Sequence, residues 1–166
     1  MKIYNMGKKF VIILLLTFLA VPCFSQQVKE LPIDSIQNEI VREFKALDNW
    51  MDCHQRIIDQ GNDTPNMEEC YKINQNLVDS CSFQVWVYAN MENGLVYYHS
   101  YTDALFLNGL ISLVARVLNG HRPEEILKSK LYFIEAAGLD QHISPTRYRD
   151  LQQVILYMRQ CAIPTE

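Results

Sequence analysis

From Leu105 to Leu118 the chain places Phe106, Leu107, Leu110, Ile111, Leu113, Val114, Val117 and Leu118 on every side of a helical segment, leaving almost no polar face. Such a helix is stable only where neighbours cover it all round, so the rest of the fold has to act as its cover. Thr102 or Asp103 can cap its start, and Asn119-Gly120 supplies a stop at its end. A chain of 166 residues has material for one core of this kind and not for two. Apolar residues make up 49% and charged residues 20%, with no low-complexity tract, as one folded body requires.

The covering elements can be read from their periods. Ile36, Ile40, Phe44, Leu47, Met51 and Ile58 recur at helical spacing and predict one amphipathic helix ending near Gly61. A loop containing Pro65 follows, then a short turn over Glu68 to Lys72. The period then changes to that of strands. Gln84 to Asn90 and Leu95 to Tyr101 flank Asn93-Gly94, the dipeptide suited to a type I′ turn, which predicts a β-hairpin. Asn76 to Val78 is expected to add a third strand, since a lone hairpin is marginally stable. Trp86, Tyr88, Tyr97 and Tyr98 are expected on the sheet's packed face. Pro123 opens a short helix with Glu124 and Glu125 in its first turn. Ser144 and Pro145 start a last helix with Leu151, Val154, Ile155 and Met158 in one stripe. Strands followed by helices give an α+β domain with a small antiparallel three-stranded sheet.

Several classes of function are excluded. With 19 acidic and 15 basic residues, formal charge -4, and the basic residues scattered, the chain has no nucleic-acid footprint. It has no phosphate loop, nucleophile elbow or serine-histidine-aspartate pattern. His54, His99, His121 and His142 are dispersed, without metal-site spacing, and are expected to be surface or capping residues. Asp103 is most simply a helix cap, and Arg147 a solvated residue of the last helix.

At the N-terminus Lys8 and Lys9 precede an apolar run from Phe10 to Val21, followed by Pro22, Cys23, Phe24 and Ser25. This is the order of a secretory signal peptide, with cleavage expected after Ser25. The run falls short of the roughly 20 residues of a membrane span, so no stable span is expected. The organisation read from the chain is a signal-like segment over 1–25, a leader over 26–35 and one domain over 36–161. A working signal would send the protein to the periplasm or envelope. The other reading, a start placed too far upstream, leaves it cytoplasmic.

Beyond Cys23 stand Cys53, Cys70, Cys81 and Cys161, an even set with three possible pairings and no zinc spacing. Cys81 lies on the connection entering the hairpin, where a reactive group can be held by a rigid scaffold. A buried apolar filler is the other reading of such a cysteine.

Four motifs in order resemble the SufE family. Asn76, Val78 and Cys81 with Gln84-Val85-Trp86 are similar to its "N-x-V-x-G-C-Q-S-x-V-W" segment, and Thr102-Asp103-Ala104 with Gly109-Leu110 to its "S-D-A…G-L/I" helix start. Asn119-Gly120 with Pro123-Glu124-Glu125-Ile126 is similar to its "N/S-G…P-x-E-I" turn. Gly138-Leu139, Gln141-His142 and Ser144-Pro145-Thr146-Arg147 are similar to its "G-L-x-x-H-L-S-P-S-R" segment. The resemblance implies a fold shared with NifU/IscU scaffolds. It also implies that Cys81 accepts persulfide sulfur from a SufS-type cysteine desulfurase and passes it to a scaffold for iron-sulfur cluster assembly. Gln84, Asp103, His142 and Arg147 would support the thiol or contact the partner. The pyridoxal phosphate belongs to the desulfurase, so this chain would need no cofactor or metal and would act as an accessory to that enzyme. Three departures from the motifs stand out: Ser80 for the glycine before the cysteine, Ser82-Phe83 for the Gln-Ser after it, and, in the last motif's arginine region, Arg149-Asp150 for its Asn-Gly. Serine at position 80 restricts the φ > 0 conformations a glycine would allow. The alternative function is an exported binding or structural module that has lost the relay.

Overall fold

In the computed structural model, which describes residues 32–163, the apolar segment forms helix α3, Leu105–Leu118, and it is covered as its composition demands. Leu107, Leu110, Ile111, Leu113, Val114, Val117 and Leu118 are all at most 1% exposed, while Leu105 at the helix start is 60% exposed. Two helices precede the sheet: α1, Ile33–Lys45, and α2, Trp50–Asp63. After the hairpin of β1, Trp86–Glu92, and β2, Leu95–Tyr101, come α3 and three more helices: α4, Pro123–Lys128, α5, Phe133–Ala136, and α6, Pro145–Cys161. The fold is α+β.

The single long helix expected from Ile36 to Gly61 is two. Asn49 breaks it by capping α2: its Oδ1 accepts from the Asp52 N–H at 3.0 Å, and its amide donates to the Asp52 carboxylate at 2.9 Å. The break turns the chain, so Met51, placed in the apolar stripe by spacing, is 72% exposed. α1 begins at Ile33, inside the stretch expected as a leader, and buries Ile33, Gln37, Ile40 and Phe44 at helical spacing. The segment over 1–25 lies outside the described residues.

α2 and α3 cross with their backbones close together at Gly61 and Gly109. A Cβ on Gly109 would overlap the Ile57 carbonyl, and one on Gly61 would stand 2.9 Å from the Gly109 nitrogen. Only glycine permits that approach. α1 is tied to α3 by Arg116, whose guanidinium donates to both Glu43 carboxylate oxygens at 2.9 Å.

Asn93, with φ 53°, and Gly94, with φ 82°, make the positive-φ pair that a type I′ turn needs. The pairing runs antiparallel from Trp86 opposite Tyr101 to Glu92 opposite Leu95. The sheet has two strands rather than three. The expected third strand is reduced to one bridge, Leu77 with Trp86, because the turn over Asn74–Asn76 ends just before it and the chain bends away after Val78. On the opposite edge Val96 bridges to His121, so both strand edges are partly covered.

Alternation decides which aromatics are buried. Val87, Val96, Tyr98 and Ser100 face the helices, and the Tyr98 hydroxyl donates to the Met158 carbonyl at 2.8 Å. Trp86, Tyr88 and Tyr97 point to the other face, contrary to the sequence expectation, and there Trp86 meets Tyr101 and Tyr88 meets the Tyr71 ring. His121 is buried, 4% exposed, rather than on the surface, and its Nδ1 lies 3.0 Å from the carbonyl of Asn119 at the end of α3. No side chain caps α3, so Asp103 is not its cap; the Thr102 hydroxyl instead accepts from the Ala104 N–H at 3.4 Å. α6 starts as predicted, with Ser144 accepting from the Arg147 N–H at 3.4 Å. Its stripe of Leu151, Val154, Ile155 and Met158 is buried.

Candidate functional site

Cys81 sits at the tip of a loop that leaves the sheet edge at Leu77 and returns to it at Trp86. The Val78 N–H donates to the Val85 carbonyl at 2.9 Å and closes the base of this loop, and the Cys81 N–H donates to the Val78 carbonyl at 3.3 Å. The backbone around the thiol is therefore fixed by the sheet edge. The tip leans on α6. The Cys81 Sγ–H donates to the Asp150 carbonyl at 3.6 Å, Ser82 Oγ donates to Asp150 Oδ1 at 3.3 Å, and Ser80 Oγ donates to Gln153 Oε1 at 3.2 Å. Arg149 donates from Nη2 to the Ser82 hydroxyl at 3.1 Å.

This packing sets the protonation of the thiol. Burial, and secondarily the Asp150 carboxylate, push the Cys81 thiol from an ordinary 9.0 up to about 11, with Arg149 pulling weakly the other way. The docked Cys81 is a protonated thiol, half-buried, donating its hydrogen to a backbone carbonyl. In this position it is a poor nucleophile, since the thiolate is the attacking species. Movement of the loop off α6 would return it towards its ordinary value and expose the sulfur.

The residues expected around Cys81 divide into two groups. His142 and Arg147 come together at the start of α6. His142 stacks on Trp50 with centroids 4.2 Å apart, His54 stacks on Phe106 at 4.7 Å, and the Arg147 guanidinium lies 5.6 Å from the Phe106 centroid. This aromatic and cationic cluster lies beside the N-terminal turn of α6, and Arg147 is one turn from Asp150, against which Cys81 docks. Gln84 and Asp103 are exposed, and neither hydrogen-bonds the Cys81 sulfur, whose partner is the Asp150 carbonyl. Asp150 entered the sequence reading only as a departure from the last motif, and its contact with the cysteine loop was missed. The signal was there: it stands four residues before Val154 and eight before Met158, so a carboxylate lies on the apolar stripe.

The four cysteines among the described residues, Cys53, Cys70, Cys81 and Cys161, are free, so none of the three possible pairings is formed. Among these residues no group of three His, Cys, Asp or Glu side chains is placed to hold a metal, and no helix is long and apolar enough to cross a membrane.

The structure is that of a small α+β domain holding one free cysteine on a sheet-edge loop that leans on the last helix, which places it among thiol-bearing domains. Comparison with known proteins narrows the class. A family model for SufE, the Fe-S metabolism associated domain, matches residues 38–162, and the chain belongs to that family. An uncharacterized SufE-like protein of Synechocystis sp. is 32% identical over 125 residues, 75% of this chain and 79% of the relative. One from Rhizobium meliloti is 29% identical over 123 residues, 71% of this chain and 88% of the relative. SufE-like protein 1, chloroplastic/mitochondrial, of Arabidopsis thaliana is 30% identical over 142 residues, 85% of this chain but 38% of that longer protein. The solution structure of a hypothetical protein from Thermus thermophilus superposes with a TM-score of 0.66 at 21% identity, covering 80% of this chain and 96% of that one. The last likeness is one of fold.

Proposed function

We propose that this protein is a sulfur acceptor of Fe-S metabolism, taking persulfide sulfur onto Cys81 from a cysteine desulfurase of the SufS type. The observation that carries the reading is the position of Cys81: a free thiol at the tip of a loop whose base is locked to the sheet edge and whose tip rests on α6 through side-chain bonds. The transfer is redox-neutral. The Cys81 thiolate attacks the terminal sulfur of the donor persulfide, a new S–S bond forms at Cys81, and the donor's S–S bond breaks. The donor cysteine leaves as a thiolate and takes up a proton, balancing the one Cys81 lost. No base or second cysteine in this chain is needed for that exchange. His142 and Arg147, on the cationic aromatic cluster beside α6, would meet the docked partner, and the exposed Gln84 and Asp103 would extend that contact. A scaffold protein would receive the sulfur in a second exchange of the same kind.

The test is incubation with a pyridoxal phosphate-loaded desulfurase and cysteine, followed by non-reducing intact mass spectrometry. The wild type should gain the mass of sulfur in a form that dithiothreitol removes. Cys81→Ser should gain none while keeping the wild-type melting curve at neutral pH. Sulfur gained equally by Cys81→Ser would overturn the assignment.

A second reading, an exported module without the relay, draws on the signal-like segment over 1–25. Intact masses from fractionated cells separate the two. A cytoplasmic form carrying sulfur on Cys81 supports the acceptor, and a form cut after Ser25, found outside the cytoplasm with Cys81 oxidised to a partner cysteine, supports the module.

A further inference from the structure

Apart from the thiol, the most unusual group in the molecule is the Asp150 side chain. It is 0% exposed, it lies on the face of α6 that otherwise carries Val154 and Met158, and its Oδ2 has no hydrogen-bond partner among the described residues. A buried carboxylate with an unused acceptor destabilises a fold. Its other oxygen is engaged by the cysteine loop. Arg149 donates to the Ser82 hydroxyl at 3.1 Å, and that hydroxyl donates to Asp150 Oδ1 at 3.3 Å, forming a relay from guanidinium to hydroxyl to carboxylate. Ser80 adds a bond to Gln153 at 3.2 Å. Every loop side chain that holds the tip on α6, apart from the cysteine, stands where the chain departs from the motif it resembles, and so do Arg149 and Asp150.

With the loop docked, Asp150 Oδ1 has the Ser82 hydroxyl at 3.3 Å and the Arg149 Nε at 3.9 Å, and Oδ2 has no hydrogen-bond partner among the described residues. Lifting the loop would open this carboxylate to water, which would offset the loss of the serine. The docked state also spends the Cys81 hydrogen on the Asp150 carbonyl.

We propose that Asp150 is a positioning residue that acts through Ser82 and Arg149 to latch the Cys81 loop onto α6, so that release of this latch governs how readily Cys81 meets a sulfur donor. The proposal rests on the reading of Cys81 as the acceptor, but it concerns the loop and can be tested without any donor.

The test is the rate of Cys81 alkylation by iodoacetamide in the full chain, read by peptide mass spectrometry. Exposed Cys70 is the internal reference, and half-buried Cys161 is the control for general loosening. Ser82 is on the surface, so Ser82→Ala removes the relay without touching the core. It should raise the Cys81-to-Cys70 rate ratio about tenfold, the scale of losing a hydrogen bond to a charged group. Ser82→Thr, which keeps the hydroxyl, should restore the wild-type ratio. Asp150→Asn keeps an acceptor for Ser82 and removes the charge. The charged groups facing the thiol are Asp150 and Arg149, both on α6. With the first neutralised, the pH profile of Cys81 alkylation should move to lower pH. An unchanged ratio in Ser82→Ala overturns the latch, and so does a rise shared by Cys161 with a lower melting temperature. If Asp150→Asn does not fold, the Ser82 pair decides alone. Failure of sulfur transfer with the alkylation pattern as expected would sink the acceptor reading and leave the latch, and the reverse result would do the opposite.

Discussion

Replacing Gly109 by alanine tests the contact that brings α2 onto α3, and two effects of opposite sign make the outcome informative. In an isolated helix alanine is favoured over glycine by about 1 kcal/mol. Here the added methyl would overlap the Ile57 carbonyl and stand 2.7 Å from Ile57 Cγ2. The carbonyl belongs to the α2 backbone and cannot rotate away, so the helices must separate. Overpacking of a core typically costs about 1–3 kcal/mol, and a backbone obstacle puts the cost at or above the upper end of that range. Subtracting the helix gain leaves a net destabilisation of about 2 kcal/mol, or a fall in melting temperature of roughly 6 °C for a chain of this size. The assay is urea unfolding followed by far-UV circular dichroism, comparing midpoints at matched slopes. A variant as stable as the wild type, or more stable, would show that propensity wins and that the two backbones do not meet at Gly109. The consequence would reach the surface, because α2 carries Trp50 and His54, which stack on His142 and Phe106.

Leu110, 1% exposed in the middle of α3, should cost about 2–5 kcal/mol when cut to alanine, and a urea midpoint within error of wild type would refute its burial. The Arg116 guanidinium holds the Glu43 carboxyl below its ordinary 4.5, so this pair contributes above the unfolded-state value and fades as pH falls through the folded one. Both partners are partly exposed, so Glu43→Gln should cost at most about 1 kcal/mol at neutral pH and nothing in strong acid; an equal cost at both would refute the charge argument. The Cys81 thiol is pushed from 9.0 to about 11, so its contribution is complete below 9.0 and lost as pH rises towards 11. Cys81→Ser should therefore lose less stability than wild type across that alkaline window, and parallel melting curves would contradict the docked thiol.

How much of this was legible depended on whether a feature was local. The hairpin was readable because Asn93-Gly94 can satisfy two positive φ values in succession, and α6 because Ser144 and Pro145 announce it before its stripe begins. The helix break at Asn49 was also written locally, in Asn49 and Asp52, but a continuous apolar spacing through Met51 concealed it. The orientation of the aromatics failed for a different reason. Trp86 and Tyr88 have the size and strand preference of core residues, yet strand alternation gave the inner face to Val87 and Tyr98 and left the larger rings to pack among themselves outside. The third strand needed more extended residues than the turn over Asn74–Asn76 and the bend after Val78 leave. The contact between Ser82 and Asp150 spans 68 positions, and only the fold brings it together. Its trace in the sequence was a carboxylate on an apolar stripe.

On the acceptor reading, the closed loop would also account for the lack of a base beside Cys81 among the described residues. A thiol held at about 11 is ionised to roughly one part in ten thousand at neutral pH, whereas one near its ordinary 9.0 is ionised to about one part in a hundred. Lifting the loop off α6, if it returned the thiol to its ordinary value, would raise the thiolate population about a hundredfold with no proton acceptor supplied by the chain. His142, the motif histidine, stacks on Trp50, and the hydrogen-bond partner of the Cys81 sulfur is the Asp150 carbonyl. The same closure guards the sulfur, because oxidants and stray disulfides meet a buried, protonated thiol until something opens the loop. On the acceptor reading proposed above, ionisation of Cys81 would be coupled to release of its loop from α6, and a partner docking near α6 would supply activation and access in a single step.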